Sequence, residues 1–186
     1  MITQSRNGER SIMSANTGTT QAGSPAQGTV VETDGRELTL TRVFAAPRSL
    51  VFEAFSDCKH LKYWWGPTGW TLPVCEMDFR VGGVWHYCMG GPEGEESWGK
   101  AIYSEIVKPT RIVYMDYFSD AEGSLSDNMP GIQVTVTFEE DGNATKVVSR
   151  AQTGTDAEMQ GLVEMGMVEG IKQTWDRLAE HLATQV

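Results

Sequence analysis

The reactive side chains of this sequence do not fall at catalytic or metal-binding spacings. The three histidines, His60, His86 and His181, are widely separated, and neither an HExxH nor a CxxC motif occurs. There is no Gly-x-Ser-x-Gly elbow, phosphate-binding loop or dinucleotide fingerprint, and no serine has an obvious histidine partner. We therefore predict no metal and no cofactor, and the sequence assigns no catalytic residue. His86 is expected on the surface, and His181 near a helix C-terminus, where positive charge is favourable.

The three cysteines, Cys58, Cys75 and Cys88, are odd in number and match no zinc-binding pattern. Strand alternation places Cys75 and Cys88 on opposite faces, so no disulfide is expected between them. A reducing cytoplasm is the predicted compartment.

The strongest chemical signal is a set of aromatic and methionine side chains. Such side chains line adaptable apolar pockets, although each one taken alone is better explained as core. Buried tyrosine hydroxyls need partners, so Tyr87 and Tyr114 are candidates to orient the polar end of a ligand. Asp116 shares the strand face of Tyr114, and a pair between Asp116 and Arg150 is expected to be exposed rather than buried. The predicted ligand-binding residues are Trp65, Phe79, Trp85, Tyr87, Met89, Trp98, Tyr114 and Met165.

Composition indicates one acidic, globular domain with an N-terminal tail. The chain has 186 residues, of which 40% are hydrophobic, and its formal net charge is -10. An acidic surface repels nucleic acid and anionic lipid headgroups, so neither is expected as a partner. No apolar run approaches the ~20 residues of a membrane helix, and no stable membrane insertion is expected. Residues 1–33 are predicted to be a disordered tail and residues 34–186 the folded domain, with Met1 and Met13 both candidate start residues.

The elements that position the aromatic set can be predicted from periodicity. Residues 37–45 indicate a strand, and residues 47–57 and 59–65 indicate two short helices, the first with Pro47 at its first helical position. Six further strands separated by short turns predict an antiparallel meander, followed by one long helix over residues 157–183. The loop at residues 119–131 is polar and expected to be mobile. The six strands are predicted at residues 70–80, 84–89, 98–107, 112–118, 132–139 and 146–151.

The long helix combines an apolar stripe with three glycines. The stripe consists of Val168, Ile171, Trp175, Leu178 and Leu182, at spacings of one helical turn. Glycines at 161, 166 and 170 each cost about 1 kcal/mol of helix propensity. They indicate either a weak helix start or a need for room, for sheet residues or for a ligand.

The hairpin after residue 75 has two candidate registers. A two-residue turn would pair Phe79 with His86, whereas a three-residue loop would pair Phe79 with Trp85, Met77 with Tyr87 and Cys75 with Met89. The second register places all bulky groups on one face, so we prefer it, with a glycine in the left-handed position of a bulge.

A long amphipathic helix needs a surface to cover, and a curved sheet has one apolar face to bury. We therefore predict an α+β helix-grip fold, with a curved antiparallel sheet around the C-terminal helix and two short helices after the first strand.

Three segments of the chain are distinctive: Trp64-Trp65-Gly66-Pro67, Asp78-Phe79-Arg80-Val81-Gly82-Gly83-Val84-Trp85 and Met89-Gly90-Gly91-Pro92-Glu93-Gly94. With further matches along the chain, they resemble the Aha-type family, homologues of the C-terminal domain of the heat-shock ATPase activator, within the START-like (SRPBCC) superfamily. The resemblance covers residues 36–184 and implies a helix-grip fold with an internal cavity, but it implies no reaction. One departure lies in the last helix, where the family often has Gly-Trp and this chain has Gly170-Ile171, with Trp175 one turn later; this bears on the shape of the pocket.

Three functions follow as hypotheses. The first, which we favour, is binding of a hydrophobic or amphipathic small molecule between sheet and helix. The second is a cyclase- or hydrolase-like enzyme, which predicts strongly perturbed pKa values inside the cavity. The third is an interaction protein, with a chaperone partner implied by the resemblance and with Met129-Pro130 exposed in the polar loop. A homodimer is compatible with all three.

Overall fold

A computed structural model describes residues 28–186 as one eight-stranded antiparallel sheet with four helices. The strand order across the sheet is β1-β2-β8-β7-β6-β5-β4-β3, so the first long strand pairs with the last. In chain order the elements are β1 (Val30–Asp34), β2 (Glu37–Phe44), α1 (Arg48–Ser56), α2 (Cys58–Trp64), β3 (Thr71–Met77), β4 (Val84–Gly90), β5 (Glu96–Val107), β6 (Arg111–Phe118), β7 (Ile132–Asp141), β8 (Ala144–Gln152), α3 (Asp156–Glu164) and α4 (Met167–Ala183).

The predicted helix-grip fold is confirmed. The sheet curves around α4, whose apolar stripe contributes the buried side chains of Trp175, Leu178 and Leu182. The Trp175 ring meets Phe44 of β2 at a centroid distance of 5.7 Å. Helix α1 covers the neighbouring part of the sheet, where Phe52 packs edge-on against Phe138. Alternation along the strands therefore directs one apolar face toward the helices.

The predicted boundary of the tail is wrong, because the strand β1 begins at Val30. This strand pairs with β2 along its whole length, from Val30 opposite Thr41 to Asp34 opposite Glu37. Neither face of this strand is buried, and its sequence therefore lacks the apolar alternation by which the other strands were predicted. Main-chain hydrogen bonds to β2 hold it. Residues 1–27 of the predicted tail lie outside the described residues.

The prediction of one helix over residues 157–183 is also wrong. The segment forms two helices, α3 and α4, separated at Met165 and Gly166. Gly166 has a φ of 91°, in the left-handed region that side chains with a Cβ disfavour, and this conformation turns the chain. A capping box between Thr155 and Glu158 fixes the start of α3.

The β3–β4 hairpin has neither of the two predicted registers. Met77 pairs with Trp85 and Cys75 with Tyr87, which is the preferred register shifted by two residues. The bulky groups still share one face, because a shift of two preserves side-chain alternation. The connection is longer than predicted, since the Asp78 N–H donates to the Val84 carbonyl and Gly83 N–H to the Arg80 carbonyl.

Cys58 and Cys75 form a disulfide, with their Cα atoms 5.9 Å apart. It joins the first residue of α2 to β3, a pairing that the sequence analysis did not predict. Cys88 is free and buried on the other face of the sheet, so the predicted absence of a Cys75–Cys88 bond is confirmed. Disulfides persist mainly in oxidising compartments, and the cytoplasmic compartment stays a prediction.

Candidate functional site

A cavity of about 390 Å³ lies between the concave face of the sheet and helices α3 and α4. Its wall is mainly apolar, and its volume falls in the range of roughly 300–1,000 Å³ typical of small-molecule sites. The sheet supplies one side, and the helices and the connection after α2 supply the other. The side chains and glycines that define it include Leu40, Trp65, Gly66, Pro67, Tyr87, Met89, Gly99, Tyr114, Asp116, Ile132, Val134, Ser149, Ala151, Leu162, Met165, Met167, Gly170, Ile171 and Trp175.

Two of the three glycines in the α3–α4 segment, Gly166 and Gly170, border the cavity, whereas Gly161 does not. A Cβ on Gly161 or Gly166 would meet no atom within 4 Å, and one on Gly170 would make ordinary contact with Pro67 at 3.6 Å. These glycines therefore provide no room for sheet side chains. Gly166 instead provides the turn that ends α3 beside the cavity.

The polar centre of the cavity is Asp116 on β6. The Tyr87 hydroxyl donates to both carboxylate oxygens of Asp116, at 3.2 and 3.3 Å. Tyr87 reaches two strands across because β5 presents only Gly99 and Ala101 between them. A Cβ on Gly99 would collide with the Tyr87 phenol, so the glycine is required for this contact.

Burial controls the ionisation of this cluster. Loss of hydration raises the pKa of Asp116 to about 7, although the hydrogen bond from Tyr87 acts in the opposite direction. Burial also raises the pKa of the Tyr87 and Tyr114 phenols well above the ordinary value, and the nearby Asp116 charge adds to this. Tyr103 shows the same upward shift of its pKa for the same reasons. Near neutral pH, Asp116 is therefore the group that exchanges a proton.

Six of the eight predicted ligand-binding residues line the cavity: Trp65, Tyr87, Met89, Trp98, Tyr114 and Met165. Met165 is 69% exposed and lies at the rim, at the junction of α3 and α4. Whether any of them contacts a ligand stays a prediction.

Trp85 and Phe79 do not line the cavity, and the indole of Trp98 lies away from it. Trp85 is buried behind the wall, with its ring centroid 4.7 Å from that of Trp65. Phe79 lies in the β3–β4 connection and packs against Tyr103. Trp98 belongs to the cavity wall, but its indole lies on the opposite face of the sheet, where it stacks on His86 and donates to Glu96 at 3.0 Å.

Apart from Met165, sequence reasoning missed the helix side of the cavity, and it missed the role of Asp116. Trp175 and Ile171 were predicted as an apolar stripe, but their spacing could not distinguish core from cavity wall. Asp116 was placed on the face of Tyr114, yet its contact with Tyr87 requires the small residues of β5 between them. Arg150 does not pair with it, since Arg150 is exposed on the other face of the sheet, opposite Thr39 and Thr135.

Two further predictions concern histidines. His86 lies on the outer face as predicted, half-buried, with Nε2 3.0 Å from the Asp120 carbonyl oxygen. His60 and His181, far apart in sequence, meet between α2 and α4 with ring nitrogens 2.8 Å apart. Within residues 28–186, no group of three or more His, Cys, Asp or Glu side chains is arranged to hold a metal ion.

The helices in the described part of the chain are all too short or too polar to cross a membrane. No curated protein matches the sequence.

Solved structures resemble this protein over most of its length. A solution structure from Arthrobacter aurescens has a TM-score of 0.76 and 28% identity, covering 83% of this chain and 91% of that chain. A solution structure from Staphylococcus epidermidis has a TM-score of 0.74 and 28% identity, covering 84% and 94%. A crystal structure from Mycobacterium smegmatis, with a TM-score of 0.74 and 24% identity over 87% and 97% of the two chains, shows the same fold.

The family described as Activator of Hsp90 ATPase homolog 1-like protein has a model that matches residues 45–183. This segment begins at the end of β2 and includes the cavity wall from Trp65 to Trp175. It also confirms the resemblance found in the sequence. The protein therefore belongs to the Activator of Hsp90 ATPase homolog 1-like family.

Proposed function

We propose that the protein binds a small, largely apolar molecule in the cavity between the sheet and helices α3 and α4. The observation that carries this proposal is the cavity itself, about 390 Å³ with a mainly apolar wall. Protein interiors are normally packed with few voids larger than a water molecule. A space of this size loses packing contacts that a ligand would restore.

The structure of the cavity rim favours the junction of α3 and α4 as the place where a ligand enters. Met165 is exposed there, and Gly166 next to it has a backbone conformation that interrupts the helix. On the other side, Arg177 of α4 donates to the carbonyl oxygens of Gly66 and Pro67 at 2.8 and 3.0 Å. One side of the rim is thus held by hydrogen bonds, and the other side ends in an unbranched, adaptable side chain.

Calorimetric titration and thermal unfolding with naphthylethanol, an uncharged aromatic probe, test this function. A ligand present at about 100 times its dissociation constant stabilises the folded state by roughly 2.7 kcal/mol. We expect stabilisation of the wild type and its loss in Ser149→Leu, because Ser149 lines the cavity and leucine would fill part of it. Ser104→Leu makes the same change at an exposed position of β5 and should bind normally.

Binding that is unaffected by Ser149→Leu would place the probe outside the cavity. An absence of binding by this probe and by its charged analogues would remove the proposed function.

A second candidate function, acid–base catalysis in the same cavity, has one observation in its favour. The pKa of Asp116 is raised to about 7 beside the Tyr87 hydroxyl, and a carboxyl group that exchanges protons near neutral pH suits a general acid or base. This function predicts that Asp116→Asn retains a bound ligand but abolishes its turnover. A variant that turns the ligand over at the wild-type rate would exclude it.

The third hypothesis, an interaction protein with a chaperone partner, is less well supported by the described surface. Met129 and Pro130, expected to be exposed, are partly buried, and Met129 packs against the core. The large exposed hydrophobic residues are scattered over the surface, with Val81 and Leu125 in different loops and Val107 at the end of β5. The family description names an ATPase activator, and this remains its main support.

A further inference from the structure

The cavity contains one carboxylate and no cationic side chain. Among the described residues that line it, Asp116 is the only Asp or Glu, and no Lys, Arg or His is present. Both oxygens of Asp116 accept from the same hydroxyl, that of Tyr87. A hydrogen bond from the Tyr117 backbone N–H also lowers the pKa of Asp116. A carboxylate has about four acceptor sites, so part of its hydrogen-bonding capacity remains unused.

Three arginines of the sheet and of α4 have partners or positions away from the cavity. Arg42 pairs with Asp176 of α4, Arg177 donates to main-chain carbonyls at the rim, and Arg150 lies on the outer face. None of these side chains lines the cavity. The charge of Asp116 is therefore not balanced by the protein in the described part of the chain.

A buried carboxylate without a cation is unfavourable, and it either takes up a proton or pairs with a cation that enters. The pKa of Asp116, raised by burial to about 7, reflects this cost. An anionic ligand such as a fatty acid would bring a second negative charge to the same place. The net charge of -10 also favours the approach of cations over anions.

Resting on the proposed function, we propose that the ligand is a hydrophobic amine, whose protonated nitrogen pairs with Asp116 while its apolar body occupies the rest of the cavity. Tyr87 holds the carboxylate in place from one side. The aromatic rings of Trp65 and Tyr114 in the same wall add a surface on which a cation is favourable. The apolar wall suits the aromatic or aliphatic body of such an amine, and the carboxylate and the aromatic rings suit its charged nitrogen.

The test compares three probes with one aromatic body and different ends: naphthylethylamine, naphthylethanol and naphthylacetate. Dissociation constants are measured by calorimetry at about pH 8, where Asp116 is ionised and an aliphatic amine is protonated. The other titratable groups facing Asp116 are Tyr87, Tyr103 and Tyr114, whose raised pKa values keep them neutral at this pH. We expect the amine to bind at least about tenfold tighter than the alcohol, a difference of about 1.4 kcal/mol, and the carboxylate to bind weakest.

Two variants locate the effect. Asp116→Asn removes the charge at nearly constant shape and should make amine and alcohol bind equally. Asp127→Asn makes the same change at an exposed position and should preserve the preference for the amine. The proposal is overturned if the wild type binds the amine no tighter than the alcohol, or if Asp116→Asn keeps the preference.

These results are distinguishable from failure of the proposed function. Equal binding of all three probes in the cavity would exclude the proposal of an amine ligand but leave the proposal of a cavity ligand standing. If none of the probes binds, both proposals are excluded.

Discussion

His60 Nδ1 and His181 Nε2 lie 2.8 Å apart, so the two rings share a hydrogen bond that joins α2 to α4. His181 also stacks on Tyr63, with ring centroids 5.1 Å apart, and Glu53 Oε1 lies 3.6 Å from His60 Nε2. One nitrogen of the pair must donate and the other accept, so protonation of both rings would place two donors and two charges in contact.

The histidine pair predicts that stability falls in mild acid. Burial, and then the proximity of His60, lowers the pKa of His181 below its ordinary value. A lowered pKa in the folded state means that the unfolded chain binds the proton more readily, so stability present above about pH 6.5 is lost as the pH falls. We expect His181→Gln to remove part of this loss between about pH 7 and 5, because the substituted side chain takes up no proton.

Urea unfolding at a series of pH values measures this dependence. His86→Gln serves as the control, because His86 lies on the outer face of the sheet. An unchanged pH dependence in His181→Gln would show that the pair does not couple protonation to folding.

The second prediction concerns Gly99, whose lack of a side chain lets Tyr87 extend across β5 to Asp116. Gly99→Ala would drive a Cβ into the phenol and should destabilise the fold by about 1–3 kcal/mol, as overpacking usually does. It should also raise the pKa of Asp116 further, because the hydrogen bond from Tyr87 is one of the groups that lower it. Tyr87→Phe removes that hydrogen bond without the collision, and NMR titration of the carboxyl carbon reports the pKa in both variants. An unchanged pKa in both variants would contradict the role of Tyr87.

The sequence predicts the sheet well because alternation is a local property. The strands from β2 to β8 follow from period-two patterns and glycine-rich turns, whereas β1 has exposed side chains and is held by its partner's main chain. Alternation also places the Trp98 side chain on the outer face of the sheet, together with Lys100. We nevertheless assigned Trp98 to the cavity because it is aromatic. The Cys58–Cys75 bond and the Tyr87–Asp116 contact join segments that are apart in sequence, and no local pattern encodes them.

The two glycines around the α3–α4 junction predict opposite effects of the same substitution. Gly161 lies within α3, and a Cβ there would meet nothing within 4 Å, so Gly161→Ala should stabilise by about 0.5–1 kcal/mol. Gly166 has a φ of 91° and equal space, so Gly166→Ala should destabilise by about 1 kcal/mol through backbone strain alone. Chemical unfolding measures the free energy of unfolding of both variants, and each variant is the control for the other. Equal effects would mean that the left-handed turn is not required.

Asp116 predicts a dependence on pH that is opposite in sign to that of His181. Its pKa in the folded state is raised to about 7, so the folded protein binds the proton more readily than the unfolded chain. The stability this provides is fully present below about pH 4 and is lost as the pH rises to about 7. Asp116→Asn should therefore gain about 1–3 kcal/mol relative to the wild type between about pH 4 and 8. Unfolding curves at both pH values test this, and a constant difference would mean that Asp116 titrates normally.

The Cys58–Cys75 disulfide predicts that reduction weakens both the fold and the cavity. It closes a loop with a sequence separation of 17, and constraining a loop of this length in the unfolded state contributes about 3 kcal/mol. The loop contains Trp65, Gly66 and Pro67 of the cavity wall, so reduction should also weaken binding of naphthylethanol.

Unfolding and titration with and without dithiothreitol measure both effects of reduction. Cys58→Ser/Cys75→Ser should resemble the reduced wild type and be insensitive to the reductant. Because Cys88 is buried, it should react with a thiol reagent only when the protein unfolds. A wild type whose stability and affinity do not change on reduction would show that the hydrogen bonds of Arg177 alone hold this side of the cavity.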